Sequence, residues 1–98
     1  MNMDANKEIE IVINRFKSGD YEFTINKVSV LLKKFPNNDM LWNLKGLSLQ
    51  TIGNIKESIQ CFIKSLNINP KNIAAKNNLG NSYKYANQYT LALECFKE

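Results

Sequence analysis

The chain has 98 residues, of which 44% are hydrophobic and 22% charged, so one small folded domain is expected and a disordered tail is excluded. Its net charge of +4 is spread thinly, whereas nucleic-acid-binding surfaces usually cluster Lys and Arg. No apolar stretch approaches the roughly 18 residues of a membrane span, and the absence of histidine removes imidazole from any catalytic or metal site.

A period of 34 residues organises the sequence. Turn residues and apolar residues recur together at this offset: Gly19 with Gly53 and Asn87, Tyr21 with Ile55 and Tyr89, Val28 with Phe62 and Phe96, Pro36 with Pro70, and Cys61 with Cys95. The period predicts a single domain over residues 1–98, divided into repeats at 5–38, 39–72 and 73–98. The last repeat is incomplete.

Each repeat is predicted to be a pair of antiparallel helices. Leu41, Leu44 and Leu47 recur at helical spacing, and residues 55–68 carry an apolar stripe with the same periodicity. Between them, Gly53-Asn54 is a helix stop with a glycine suited to positive φ. In the third repeat Asn87 takes the glycine's place. Proline-bearing loops at 35–39 and 69–72 end the second helices, and Asn72 is expected to cap the next one.

These residues resemble the tetratricopeptide repeat, whose pattern is Trp-x2-Leu-Gly-x2-Tyr, then Ala-x3-Phe, then Pro. The second repeat matches this pattern at Trp42, Gly46, Gly53, Phe62 and Pro70, and the third at Leu79, Gly80, Tyr83, Ala92 and Phe96. The first repeat keeps Gly19, Tyr21 and Pro36, but has Glu8, Val12 and Arg15 in place of tryptophan, glycine and tyrosine. The resemblance implies an all-α solenoid of antiparallel helix hairpins, a right-handed superhelix of about three repeats with the last one truncated.

Packing expectations follow from these positions. Gly46 and Gly80 should let the two helices of a repeat approach closely, while Phe62 and Phe96 fill the space between stacked repeats. Trp42 is either a ligand-stacking aromatic or part of the inter-helix core, and its place in the repeat favours the core. The same preference applies to Tyr21, Tyr83 and Tyr89. Because the sequence stops inside the last helix, we expect Leu91 and Cys95 to be partly exposed and to favour self-association.

The resemblance also implies that the first helix of each repeat lines a concave groove. Amide side chains there can pair with a peptide backbone, apolar ones can take hydrophobic side chains, and a lysine attracts acidic segments. The predicted peptide-binding residues are Ile13, Asn43, Leu47, Gln50, Asn77, Asn78, Asn81 and Lys84. One variety of the family clamps a C-terminal carboxylate, at places that correspond here to Ile9, Ile13, Leu44, Ala74 and Asn78. Only Asn78 is compatible, so that clamp is not expected.

The spacing of Cys61 and Cys95 indicates whether the two thiols are oxidised or reduced. Equivalent places in stacked repeats lie beyond the roughly 7 Å Cα separation of a disulfide, and neither thiol belongs to a metal-binding spacing. Two reduced, partly buried thiols are therefore expected, with no metal and no cofactor. Residues 1–8 lack the basic start and apolar stretch of a secretory signal, so the predicted location is cytoplasmic.

The function predicted from the sequence is a non-catalytic protein–protein interaction scaffold. Phosphate-binding and nucleophile motifs are absent, and the acidic residues Glu8, Glu10, Asp20 and Glu22 fall at helix starts and on polar faces. The expected partner is a protein or peptide, or a second copy bound through the C-terminal repeat, and a membrane partner is not expected. Two alternatives stay open: an RNA-binding helical repeat, although nucleic acid is disfavoured by the charge, and a self-assembly module of a longer protein.

Overall fold

The computed structural model describes residues 2–97, and their side chains from residue 6 onward. Six α-helices follow one another as α1 (Asn2–Lys17), α2 (Tyr21–Lys34), α3 (Asp39–Thr51), α4 (Ile55–Ile68), α5 (Ile73–Tyr85) and α6 (Tyr89–Phe96). Consecutive helices pack as three hairpins, α1–α2, α3–α4 and α5–α6, and α3 also touches α5. No strand occurs among the described residues. The predicted all-α architecture is confirmed.

The three hairpin turns share one backbone geometry. Gly19 and Gly53 have φ of +87° and +91°, and Asn87 adopts the same left-handed region at +62°. In each turn the next residue's N–H donates back to a carbonyl five residues earlier: Asp20 to Arg15 at 2.9 Å, Asn54 to Leu49 at 2.8 Å and Gln88 to Tyr83 at 2.8 Å. These bonds satisfy the last carbonyls of the first helix. The prediction for Asn87 is confirmed.

Polar caps begin three of the helices. Asp20, Asn38 and Asn72 accept hydrogen bonds from the N–H groups of Phe23, Leu41 and Ala75, at 3.3, 3.1 and 3.0 Å. The cap predicted at Asn72 is confirmed, and Asn38 has the same role in the preceding hairpin. Asn54 precedes α4 but makes no such bond, since its Nδ2 donates to Glu57 Oε1 at 2.6 Å.

Each hairpin closes around one close contact between its two helices. A Cβ placed on Gly46 would lie 2.6 Å from Cε1 of Phe62, a ring that is fully buried. Gly80 faces Phe96 in the same way. In the first hairpin Val12 and Val28 occupy these two places and both are buried in the main apolar cluster. A smaller partner on α2 thus compensates for the larger residue on α1, which explains why glycine is not needed there.

The aromatic predictions are confirmed in part. Trp42 is half-buried against the apolar cluster and its Nε1 donates to the Pro36 carbonyl at 2.9 Å, as expected of a core residue. Tyr21 and Tyr83 are half-buried as well. The expectation is wrong for Tyr89, which is 59% exposed, and Phe96 keeps 43% of its surface exposed. Both lie on α6, whose outer side is not covered by any other helix of the described chain.

A polar joint ties the second hairpin to the third. The Asp39 Oδ2 atom accepts from Nδ2 of Asn69 at 3.1 Å and from Nδ2 of Asn72 at 2.8 Å. The carbonyl of Asp39 also accepts from Ser65 Oγ at 2.9 Å. The start of α3 is therefore bonded to the end of α4 and to the cap of α5, so the angle between these helices is fixed by directional contacts as well as by apolar burial.

Cys61 is buried and Cys95 half-buried, and no disulfide joins them. Burial raises the pKa of both thiols, which keeps them protonated and weakly nucleophilic at neutral pH. No helix within the described residues combines the length and the apolar character needed to cross a bilayer.

The helix contact at Gly46 yields a stability prediction. Gly46→Ala should destabilise the chain by about 1–3 kcal/mol, because the new methyl group collides with a fully buried ring. Gly80→Ala is the matched control and should cost less: its Cβ would meet the partly exposed ring of Phe96 and, at 3.1 Å, the Cβ of Cys95, while alanine favours the helix by about 1 kcal/mol. Urea unfolding of both variants measures the difference. Equal losses would contradict the role given to Gly46.

The cap of α2 yields a pH prediction. The Arg15 guanidinium, bonded at 2.7 Å, and then the Phe23 N–H hold the pKa of the Asp20 carboxyl below its ordinary 3.8. Its stabilising effect is therefore complete above about pH 5 and is lost as the pH falls through 3.8 and below. Asp20→Asn, which keeps a capping side chain, should lower the melting temperature more at pH 7 than at pH 2.5. Glu10→Gln, an exposed change on α1, should show no such pH dependence.

Candidate functional site

The residues predicted to bind peptide lie on the first helices of the three hairpins. Three positions recur: Ile13, Leu47 and Asn81 share one, Asn43 and Asn77 another, and Gln50 and Lys84 the third. We call the seven of these residues that belong to α3 and α5 the amide face: Asn43, Leu47, Gln50, Asn77, Asn78, Asn81 and Lys84. Since α3 touches α5, the residues of the amide face form one surface.

Gln50 links the two helices of the amide face. Its Nε2 donates to the carbonyl of Asn78 at 3.1 Å and to Ser82 Oγ at 2.8 Å. A backbone carbonyl can only accept, so this partner fixes the direction of the Gln50 amide. Ser82 continues the chain of bonds to Ser58 on α4, with the two hydroxyl oxygens 2.9 Å apart. Gln50 therefore has a structural role, and its Oε1 remains an acceptor for a ligand.

A second bond crosses the amide face. Asn78 Nδ2 donates to Asn43 Oδ1 at 3.1 Å. Within the described chain the remaining donor of Asn43 and the remaining acceptor of Asn78 have no hydrogen-bond partner. The pair therefore offers one donor and one acceptor side by side, which is the complement of an extended peptide unit.

Three residues of the amide face are free of internal polar partners. Asn77 and Lys84 are exposed and Asn81 is half-buried. None of the three forms a hydrogen bond or an ion pair through its side chain with another described residue. Their polar groups remain available to a ligand.

The two apolar residues among the predicted peptide-binding residues lie on different helices. Ile13 on α1 and Leu47 on α3 are both half-buried. Ile9, one turn before Ile13, packs against the main apolar cluster. The structure therefore brings the amides of α3 and α5 together and leaves Ile13 on a separate helix, beside residues that contribute to the core.

A cleft of about 540 Å³ adjoins the amide face, and of its lining only Gln50 was predicted from the sequence. The other lining residues, from the α3–α4 turn and the end of α5, are Thr51, Gly53, Ile55 and Tyr85. A comparison within the sequence indicates this cleft. Phe16 and Tyr21 occupy the places of Gln50 and Ile55 in the first hairpin, and their rings pack edge to face with centroids 5.5 Å apart. The second hairpin has no aromatic residue at either place. A second hollow, of about 400 Å³, lies in the loop at 35–38.

The described residues contain no group of three or more Cys, Asp or Glu side chains placed to hold a metal ion. Among the described residues, Glu8 forms an ion pair with Lys27 at 3.2 Å, and Asp20 forms one with Arg15 at 2.7 Å. The chemistry offered by the amide face is hydrogen bonding and one positive charge.

Sequence comparison finds similar proteins that contain the same repeat or match most of this chain. Residues 41–72 match the sequence model of the tetratricopeptide repeat. The peroxisomal targeting signal receptor of Saccharomyces cerevisiae is 29% identical over 83 residues, which cover 85% of this chain and 12% of the receptor. The human protein O-mannosyl-transferase TMTC3 is 29% identical over 80 residues, 82% of this chain and 9% of that protein. The chain thus spans about a tenth of the curated relatives it matches.

Solved structures with the same fold include two tetratricopeptide repeat domains bound to chaperone peptides. The second such domain of Spaghetti (RPAP3), bound to an HSP90 peptide, has a TM-score of 0.89 at 17% identity and covers 94% of this chain and 85% of that domain. The TPR2B domain of yeast Sti1, in complex with an Hsp70 peptide, has a TM-score of 0.90 at 17% identity, with 95% and 74% covered. At this identity the likeness concerns the fold.

Residues 41–72 thus match the tetratricopeptide repeat in sequence, and the described residues have the fold of tetratricopeptide repeat domains.

Proposed function

We propose that this chain is a non-catalytic interaction scaffold that binds an extended peptide segment of a partner protein across the amide face. The observation that carries the proposal is the division among the amides: Gln50, Asn43 and Asn78 bond to one another's helices, while Asn77 and Asn81 remain free. Hydrogen-bonded amides in fixed positions, with free amides beside them, can pair with the N–H and C=O groups of an extended peptide.

The relatives support a peptide as the ligand class. The yeast receptor is named for a targeting signal, and the RPAP3 and Sti1 domains are bound to chaperone peptides. The amide face carries Lys84 as its one positive charge. In the proposal, the amides bind the backbone of the peptide, and Lys84 attracts an acidic residue of the peptide. The proposed unit is a single domain over residues 1–98, with repeats at 5–38, 39–72 and 73–98.

The proposal excludes catalysis by this chain. The match to the mannosyl-transferase TMTC3 spans 9% of that protein, and the amide face holds no carboxylate, hydroxyl or thiol side chain to act as an acid, base or nucleophile beside Lys84. Two protonated, unpaired thiols suit a reducing compartment, and we place the chain in the cytoplasm on that ground.

A second candidate function is self-association through α6, favoured by a comparison within the chain. Phe62 is fully buried because α5 packs against α4, whereas Phe96, at the same place in the third hairpin, is 43% exposed. Leu91 and Leu93 are 46% and 65% exposed on the same helix. Leu93 and Phe96 are three residues apart and therefore neighbours on one side of α6, and exposed apolar surface of this kind is typical of an interface.

The partner proposed for α6 is the α6 of a second copy. An isologous contact buries apolar groups against apolar groups and closes at a dimer.

The groove assignment predicts the effect of removing the free amides. Asn77→Ala with Asn81→Ala should lower the affinity for a bound peptide about tenfold or more, because two hydrogen bonds of about 1 kcal/mol each are lost. The peptide is first selected from a library of extended segments and then titrated by calorimetry. Asn26→Ala with Asn67→Ala is the matched control, since these exposed amides lie on α2 and α4. An unchanged affinity in the Asn77 and Asn81 variant would contradict the proposal, as would binding of single-stranded RNA in place of any peptide.

The α6 assignment predicts a dimer that sedimentation velocity detects as concentration rises. Leu91→Lys with Leu93→Lys should leave a monomer, because charged groups cannot be buried in an apolar contact. Ile73→Lys, which alters a side chain 68% exposed on α5, is the control and should still dimerise. A parent chain that stays monomeric at millimolar concentration would rule out this second function.

A further inference from the structure

We propose that the cleft beside the amide face is a side-chain pocket that takes one aromatic residue of the bound peptide, with an acidic residue next to it in the peptide facing Lys84. The ligand class is thus an extended segment that pairs an aromatic side chain with a carboxylate. This inference rests on the proposed function and adds the side chains that the amide face would select.

The size and lining of the cleft suit an aromatic ring. Its volume of about 540 Å³ lies within the range of roughly 300–1,000 Å³ typical of ligand sites. Ile55 is half-buried on one side, and Tyr85 on the other is 61% exposed, so its ring is available for an edge-to-face or offset contact. Thr51 directs its Oγ1 to the Leu47 carbonyl at 2.8 Å, so its hydrogen-bonding hydroxyl is already satisfied.

The first hairpin supports the choice of an aromatic occupant. Phe16 corresponds to Gln50 and Tyr21 to Ile55, and the Phe16 and Tyr21 rings pack at 70° with centroids 5.5 Å apart. In the second hairpin Gln50 instead reaches across to α5, where its Nε2 makes two bonds. The place that the Phe16 ring occupies in the first hairpin is therefore left without an aromatic ring in the second.

The charge next to the cleft supports the acidic neighbour. Lys84 directly precedes Tyr85, is exposed, and forms no ion pair with a described residue. The nearest acidic group of the adjoining turn, Glu57, accepts a hydrogen bond from Asn54 at 2.6 Å. Gln50 keeps its Oε1 free as an acceptor for a peptide N–H. A carboxylate beside the aromatic residue would meet a positive charge without a competing internal partner.

The test uses the full chain and a peptide library in which one position is Phe, Tyr, Trp, Leu or Ala and the next is Glu, Gln or Lys. Aromatic residues should exceed Ala by about tenfold in affinity, and Glu should exceed Lys at the next position. Thr51→Trp, which fills the cleft from an exposed position, should abolish the aromatic preference. Ile52→Trp, on the neighbouring 55% exposed residue outside the lining, should keep it.

Two further variants separate the aromatic pocket from the charge beside it. Tyr85→Ala should weaken the aromatic preference without touching the backbone contacts, and Lys84→Glu should reverse the preference from Glu to Lys. Peptides that bind in a manner dependent on Asn77 and Asn81, but with equal affinity for aromatic residues and Ala, would overturn the pocket and leave the proposed function standing. A chain that binds no peptide in the library would overturn both. An aromatic preference that survives in both Thr51→Trp and Tyr85→Ala would place the ring elsewhere and overturn the pocket.

Discussion

The close approach of the two helices within each hairpin is the constraint on which the rest of the structure depends. Gly46 leaves room for the ring of Phe62, and that ring fills the space where a side chain on α3 would otherwise stand. In the first hairpin two medium-sized residues, Val12 and Val28, fill the corresponding space between the helices. What stays constant from one hairpin to the next is the combined volume of the pair, because interiors are packed to near-constant density. Neither position tolerates change independently of the other.

Stacking of the second and third hairpins brings α3 and α5 together, and these two helices form the amide face. Asp39 gathers the ends of α4 and α5 through Asn69 and Asn72, and Gln50 connects α3 to the backbone of α5. Because both links are directional, α3 and α5 lie in a fixed relation, and residues 28 and 35 positions apart in sequence become neighbours across the amide face. A ligand that pairs with this face meets a pre-arranged set of groups, which lowers the ordering cost of binding.

Much of this was predictable from the sequence, since the strongest signals are local. The turns at Gly19, Gly53 and Asn87, the cap at Asn72 and the glycine contacts follow from residue types whose backbone or steric preferences act within one hairpin. The bonds of Gln50 were not predictable, because they join residues 28 and 32 positions apart and depend on the angle between hairpins. Tyr89 and Phe96 are exposed for a related reason: their place in the repeat implies burial, but burial requires a further helix against α6.

The turn ends of the first and second hairpins differ. At the first, Phe16 and Tyr21 occupy the end of the first helix and its turn with their own rings. At the second, a polar residue stands in the place of Phe16 and its side chain bonds to the next hairpin, so the equivalent space forms a cleft open to solvent. Two differences from the first hairpin, Gln50 in the place of Phe16 and Ile55 in the place of Tyr21, thus accompany both a link between α3 and α5 and a cleft beside them. In a repeat fold, where the frame is common to all units, selectivity for a ligand arises at such departures from regularity rather than in the frame itself.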